Sequence, residues 1–366
     1  MLWGQIKGHD ETLERLDRII ELGRPAHAYL FFGPRGVGKA TTAKVFAAAL
    51  NCERACGTCA SCRAVLNNTH TDFYYLAPEG SRTILRGQVM DLLHAVNLKR
   101  QSDQYKVAVI DDAQVLGPEA ANALLKTLEE PPGNVVFILV ADDAGQVLPT
   151  IASRCQRLRF GALGADIVHD ILVNQHGLDP DRARLAAKLA RGMVGDAIEI
   201  ASGGLLDLRE RMVEVLLSEK RGMKDRVALA VEITEAAKAG GEALKKSQEE
   251  ELAHIEDFAG GPGKLSAGVK KKVVAGHKRE TARRERAVYR HALIFTAAIF
   301  RDMLLINENA DKKFITNSDL ILDRARTDEN TRARVARALK GIEMAGRRIE
   351  QNVNPLMALE NLFFTI

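Results

Sequence analysis

The rhythm of hydrophobic and polar positions changes near residue 160. Before that point, short apolar runs alternate with helical patterns; the runs are Tyr29–Phe32, Phe73–Ala77, Val107–Ile110 and Val135–Ala141. Two of them are apolar almost continuously, which predicts strands buried on both faces of a parallel sheet. Helical stretches between them predict repeated βαβ crossovers. One helix is expected over Ala120–Leu128, opened by Gly117-Pro118 and stopped by Pro131-Pro132. Beyond residue 161 the strand pattern ends. Short helices are expected over 165–203, broken at Gly177, Asp179-Pro180, Gly192 and Gly203-Gly204. From about 205 onward the pattern is long helices rich in Ala, Leu, Arg, Lys and Glu. The stretch Ala259–Gly263 reads as a helix-breaking linker within them.

Composition narrows the class. The 366 residues suffice for two or three domains, and 46% hydrophobic residues support a sizeable core. A formal net charge of +4 gives no global argument for nucleic acid, so any such surface must be local. The first residues are polar and acidic, without the apolar stretch of a signal peptide. No run of about 18 apolar residues predicts a membrane span. Four of the five cysteines crowd into residues 52–62, a clustering that points to metal ligation in a reducing compartment. A cytoplasmic protein is therefore expected.

The segment Gly33-Pro34-Arg35-Gly36-Val37-Gly38-Lys39 matches the phosphate-loop pattern G-x-x-x-x-G-K. It follows a strand and precedes an apolar helix expected from Thr41 to Leu50, the context the motif requires. Its glycines let successive backbone N–H groups converge on phosphate, aided by the helix N-terminus, and Lys39 would reach the β and γ phosphates. The next position normally carries the Ser or Thr that binds Mg²⁺, but here it is Ala40. Thr41 and Thr42 are turned about 100° and 200° around the helix, so neither replaces that hydroxyl. ATP and Mg²⁺ are expected to bind, if at all, with weakened metal positioning. Asp111-Asp112 ends the run Val107–Ile110 as a Walker B pattern, with Asp111 placed to hold Mg²⁺ through water. Asp112 stands where hydrolysing enzymes carry Glu; one methylene shorter, it is a poor general base.

Cys52-x3-Cys56-x2-Cys59-x2-Cys62 offers four thiolates within eleven residues, the donor set of a closed structural zinc site. Free cysteines or an iron–sulfur cluster are the other readings. Cys155 stands apart in sequence and is expected to pack in the core.

Together these pieces resemble the AAA+ subunits of bacterial sliding-clamp loaders. Five segments carry the resemblance: His27–Phe31, the phosphate loop, the four cysteines after its helix, Asn122-Ala123-Leu124-Leu125-Lys126-Thr127-Leu128-Glu129-Glu130-Pro131-Pro132, and Ser153-Arg154-Cys155. The resemblance covers residues 1–160 closely. It implies an α/β AAA+ phosphate-loop domain with a parallel sheet over 1–160, bearing a zinc module at 52–62. A small helical lid over 161–204 and an all-α collar over 205–366 would follow, the latter ending in a helix at Asn352–Glu360. Trp3, Ile6 and Gly8 are similar to the family's stretch near the adenine.

Two kinds of DNA polymerase III subunit share these features, the gamma/tau motor and delta-prime. Besides Ala40 and Asp112, the end of Val135–Ala141 has no clear Ser, Thr or Asn to serve as sensor. Gly195 occupies the place of a lid sensor arginine. Four altered parts favour the delta-prime type, with little ATPase of its own. The implied partners are the gamma/tau and delta subunits, the sliding clamp and primed DNA, without a membrane. Polymerisation would reside in another chain. Arg154 is implied to act in trans as an arginine finger on a neighbour's ATP; a surface salt bridge is the plainer reading. A working gamma/tau-type ATPase and a zinc-dependent DNA-binding protein with a vestigial phosphate loop are the alternatives. Basic residues from Lys264 to Arg286 could face DNA, but a solvated helix face is preferred, since no aromatics interleave them.

Overall fold

A five-stranded, all-parallel sheet organises the first half of the chain, in the order β2-β3-β4-β1-β5. The strands are β1 (Ala28–Phe32), β2 (Phe73–Leu76), β3 (Lys106–Ile110), β4 (Val135–Ala141) and β5 (Gln156–Arg159). The computed structural model describes residues 2–366 except 53–55, 79–82, 99–104, 203, 219–221, 259–260, 262–266, 323–326 and 352.

The continuous apolar runs are central strands with both faces covered. On one face Tyr29, Phe31, Val107, Val109, Val136, Ile138 and Val140 join a core with helices α1 (Asp10–Leu22) and α2 (Lys39–Leu50). On the other, Leu30, Ala108, Ile110, Phe137 and Leu139 pack with α4 (Arg86–Asn97) and α5 (Pro118–Glu129). A short α3 (Ala60–Leu66) follows the cysteine-bearing turn. The expected helix over Ala120–Leu128 is α5, with Pro118 in its first turn, where a missing N–H is harmless. The expected helix from Thr41 begins two residues earlier, because Gly38 turns into left-handed geometry immediately before it. Lys106 is buried, and its ammonium donates to the carbonyls of Ala95 (3.1 Å) and Leu98 (2.5 Å), closing the C-terminal end of α4.

β5 was absent from the expected strands. Its sequence, Gln-Arg-Leu-Arg, buries only Leu158 and lies at the sheet edge against β1. Without an apolar run it carries no signal of a buried strand. A short α6 (Pro149–Ala152) precedes it.

Two compact units result, Met1–Ile198 and Glu199–Ile366. The first includes α7 (Ala165–Asn174) and α8 (Pro180–Ala190); α9 (Val194–Ser202) crosses the division. The second is all helical among the described residues, with α10 (Leu205–Leu217), α11 (Met223–Phe258), α12 (Ala267–Asn307), α13 (Thr331–Glu350) and α14 (Pro355–Thr365). Of the expected linker Ala259–Gly263, only Gly261 is described, at φ +113°. In the basic stretch, Lys264 lies outside the described residues, as do the side chains of Lys270, Lys271, Lys272 and Arg279.

The helical unit is pinned by a buried polar network. Fully buried Arg209 donates from Nε to Asn317 Oδ1 (2.8 Å) and from both terminal nitrogens to Asp319 (2.9 and 2.5 Å). Asn317 in turn donates through its backbone N–H and side-chain amide to fully buried Asp302, each at 2.7 Å. We expect Arg209→Ala to destabilise this unit by about 3 kcal/mol, through a cavity and an unpaired Asn317. Denaturant unfolding followed by circular dichroism would measure it.

Candidate functional site

The phosphate loop leaves β1 at the C-terminal end of the sheet. Gly33 has φ +147°, Gly36 +77° and Gly38 +99°, conformations that side chains resist. Gly33 is also pressed against its neighbour: a Cβ there would meet the Phe160 carbonyl oxygen at 1.9 Å. Phe160 is fixed because its N–H donates to Phe32 O at 2.8 Å, extending the β1–β5 ladder. His9, from the turn before α1, places Nε2 2.9 Å from Val37 O and packs edge-on against Phe160. The loop is thus braced from two sides.

Lys39 follows the loop with only 5% of its side chain exposed. Its ammonium donates to Gly33 O (2.6 Å), Pro34 O (2.8 Å) and Asp142 Oδ1 (3.2 Å). Burial lowers its pKa, and Asp142 partly offsets that shift. Ala40 offers no hydroxyl. Thr41 is exposed, and buried Thr42 donates its hydroxyl back to Gly38 O at 2.9 Å.

The acidic pair lies beside the loop. Asp111 Oδ2 accepts from the Tyr75 hydroxyl at 2.6 Å, and Oδ1 accepts from the Asp112 N–H at 3.0 Å. Tyr75, on β2, was not singled out from sequence; only the β2–β3 pairing brings it to Asp111. Lys44 lies over the Tyr75 ring, 4.7 Å from its centre. Asp112 has φ +52°, and its Oδ1 accepts from Gln114 Nε2 at 3.1 Å. Burial raises the Asp112 pKa and the Asp111 charge adds to it, while Arg35 opposes. Asp142, directly after β4, occupies the strand end that lacks a clear Ser, Thr or Asn. Its role is hidden in the sequence because it depends on the Lys39 ammonium, 103 residues away.

Gly195, at the start of α9, donates its N–H to Gly36 O at 3.0 Å. Its Cα approaches the loop so closely that an added Cβ would lie 3.5 Å from Gly36 Cα. No side chain at that position reaches over the loop. Arg154, after α6, pairs through Nη2 with Glu129 Oε1 at 2.5 Å, and Nη1 donates to Thr150 O at 2.9 Å. The pair is open to solvent, with side-chain exposures of 35% and 51%. Such a pair contributes little to stability. Cys155 is half-buried and packs against the sheet core; burial pushes its thiol up to about 11.

The four clustered cysteines converge. All four sulfurs lie within 4.8 Å of one another. Cys52 and Cys56 are 3.7 Å apart and Cys59 and Cys52 3.8 Å apart, close to the edge of about 3.8 Å in a tetrahedron with metal–sulfur bonds of about 2.3 Å. Backbone N–H groups of Cys59 and Cys62 point at the sulfurs of Cys56 and Cys59, each at 3.4 Å. Hydrogen bonds from the turn at Thr58 and Cys59 pull the Cys56 thiol down to about 6, whereas burial pushes Cys62 up to about 12. The donor set and spacing fit a closed structural metal site.

A profile of the family described as "DNA polymerase III, delta subunit" matches residues 8–164. The DNA polymerase III subunit tau of Escherichia coli (strain K12) is 35% identical over 208 residues, 54% of this chain and 32% of tau. The delta' subunit of Pseudomonas aeruginosa is 39% identical over 160 residues, 42% of this chain and 45% of that one. That of Bacillus subtilis (strain 168) is 32% identical over 194 residues, 52% of this chain and 58% of its own length. Over this stretch the chain is similar to the tau and delta' subunits of bacterial DNA polymerase III. The chain spans between about a third and three fifths of the length of these relatives. The family match covers the sheet, the loop, the cysteine cluster and Arg154, and leaves the whole helical unit outside it. Among the described residues, no helix is long and apolar enough to cross a membrane.

The crossing at Gly33 gives a direct check. We expect Gly33→Ala to destabilise the sheet unit by on the order of 3 kcal/mol, because both φ and the Phe160 carbonyl oppose a side chain. Thermal unfolding would show this as a fall of several degrees in its midpoint.

Proposed function

We propose that this chain is a delta-prime-type subunit of the DNA polymerase III clamp loader, assisting ATP-dependent placement of the sliding clamp on primed DNA while gamma/tau subunits hydrolyse the ATP. The observation that carries this reading is the set of groups around the phosphate loop. Ala40 has no metal-binding hydroxyl and Thr42 is turned back onto Gly38. Gly195 sits against Gly36 with no arginine to offer, and Asp112 stands in for the longer Glu. Hydrolysis needs metal positioning, an oriented water and countercharge together; this loop is poor in each. In this reading the three-part division at about 160 and 204 separates sheet domain, lid and collar, with the collar joining the chain to the gamma/tau and delta subunits.

Arg154 is assigned the arginine finger acting in trans. Its guanidinium rests on Glu129 in a solvent-open pair that a neighbour's phosphate could outcompete. The test compares the isolated chain with the assembled loader. We expect negligible ATP turnover by the chain alone. In the loader, Arg154→Ala should lower turnover at the neighbouring site by about 10³-fold or more with assembly intact by size exclusion. Motor-like turnover by the isolated chain would instead identify a gamma/tau-type ATPase. Tight DNA binding without assembly would identify a zinc-dependent DNA-binding protein.

Cys52, Cys56, Cys59 and Cys62 are assigned a structural zinc ion. Zinc bound by four thiolates would clamp the turn between α2 and α3 and leave no coordination position for substrate. We expect about one equivalent of zinc by elemental analysis. Protons compete for the thiolates, so acidification should release the metal and lower the unfolding temperature. Cys59→Ser, which also removes the sulfur that caps α3, should weaken retention strongly.

A further inference from the structure

Lys39 in a phosphate loop ordinarily waits for phosphate. Here all three donors of its ammonium are engaged within the protein, by Gly33 O, Pro34 O and the Asp142 carboxylate. The last of these is an anion at the end of β4, whose parallel register with β1 (Phe32 opposite Ala141) sets Asp142 beside the loop. We propose that Asp142 is an affinity-determining residue of this site: its carboxylate takes the place of a nucleotide phosphate on Lys39 and opposes the binding of nucleoside triphosphate. The inference rests on the reading of the chain as a non-motor subunit and explains how such a loop is kept from a motor's ligand.

The argument is electrostatic and geometric. Two acceptors on one ammonium lie about 5 Å apart, so a phosphate reaching Lys39 would sit within that distance of Asp142. Like charges at that range repel, and although Asp142 is 37% exposed and so partly screened, the ammonium they would share is almost wholly buried. A triphosphate ordinarily brings Mg²⁺ to such carboxylates. This site has no hydroxyl at Ala40 to hold the ion, and both oxygens of Asp111 already accept hydrogen bonds, from Tyr75 and from the Asp112 N–H. Gln114 ties Asp112 and Asp142 into one array, donating to the first and accepting from the backbone N–H of the second at 3.4 Å. A neutral residue at 142 would remove the competing anion and leave the three loop glycines, Lys39 and the helix N-terminus as they are.

The experiment titrates the isolated chain with a fluorescent N-methylanthraniloyl derivative of ATP, with and without Mg²⁺. Asp142→Asn should bind it about tenfold or more tightly than the native chain. Asp142→Glu, which keeps the charge, should stay weak, and Asp142→Ala serves as a second neutral variant that places no Ser, Thr or Asn at this strand end, so that a gain reports loss of the anion alone. Adding Lys39→Ala to Asp142→Asn should abolish the gain. Native-like or weaker binding by both neutral variants would overturn the proposal. That result leaves the loader reading intact, because the latter is judged by turnover and assembly of the native chain.

Discussion

An ammonium held at 5% exposure needs negative charge or carbonyl oxygen around it, and that requirement shapes the C-terminal end of the sheet. Lys39 meets it with two carbonyls of its own loop and one carboxylate 103 residues away. To supply those oxygens the chain must leave β1 in glycine geometry, double back, and bring the end of β4 alongside. The braces at Phe160 and His9 hold that shape, and the parallel register of β1 with β4 fixes the partner.

The same strand ends bring three acidic groups to the loop. Asp111 and Asp112 follow β3 and Asp142 follows β4, the end of a parallel sheet where binding sites gather in open α/β folds. On the loop side of the sheet, α2 runs from the phosphate loop to the first of the clustered cysteines. Its N-terminal end carries the loop and its C-terminal end abuts the sulfur cage, where Cys62 lies 3.9 Å from Ala48 O. One helix therefore joins the phosphate loop to the cysteine cluster.

Much of this was legible in the sequence, for identifiable reasons. Strands β1 to β4 show as short apolar runs, most plainly where burial on both faces demands unbroken ones. Helix α5 is bounded by Gly-Pro and Pro-Pro, local signals that need no tertiary context. The cysteine spacing foretells convergence because four ligands within eleven residues have little room to diverge. What stayed hidden depends on contacts distant in sequence. Tyr75 gains its role from strand pairing, and Asp142 from the ammonium it meets. The place of Gly195 was legible by motif, but its backbone bond to Gly36 was not.

β5 was missed because three of its four residues, Gln156, Arg157 and Arg159, are exposed and polar. An edge strand presents unpaired backbone to solvent and invites another chain to extend the sheet. Charged side chains along that border discourage such pairing, since a docking strand would have to strip water from two guanidinium groups. The polarity that conceals β5 from a hydropathy reading is thus a safeguard against edge-to-edge aggregation, built into the border next to the strand that carries the phosphate loop.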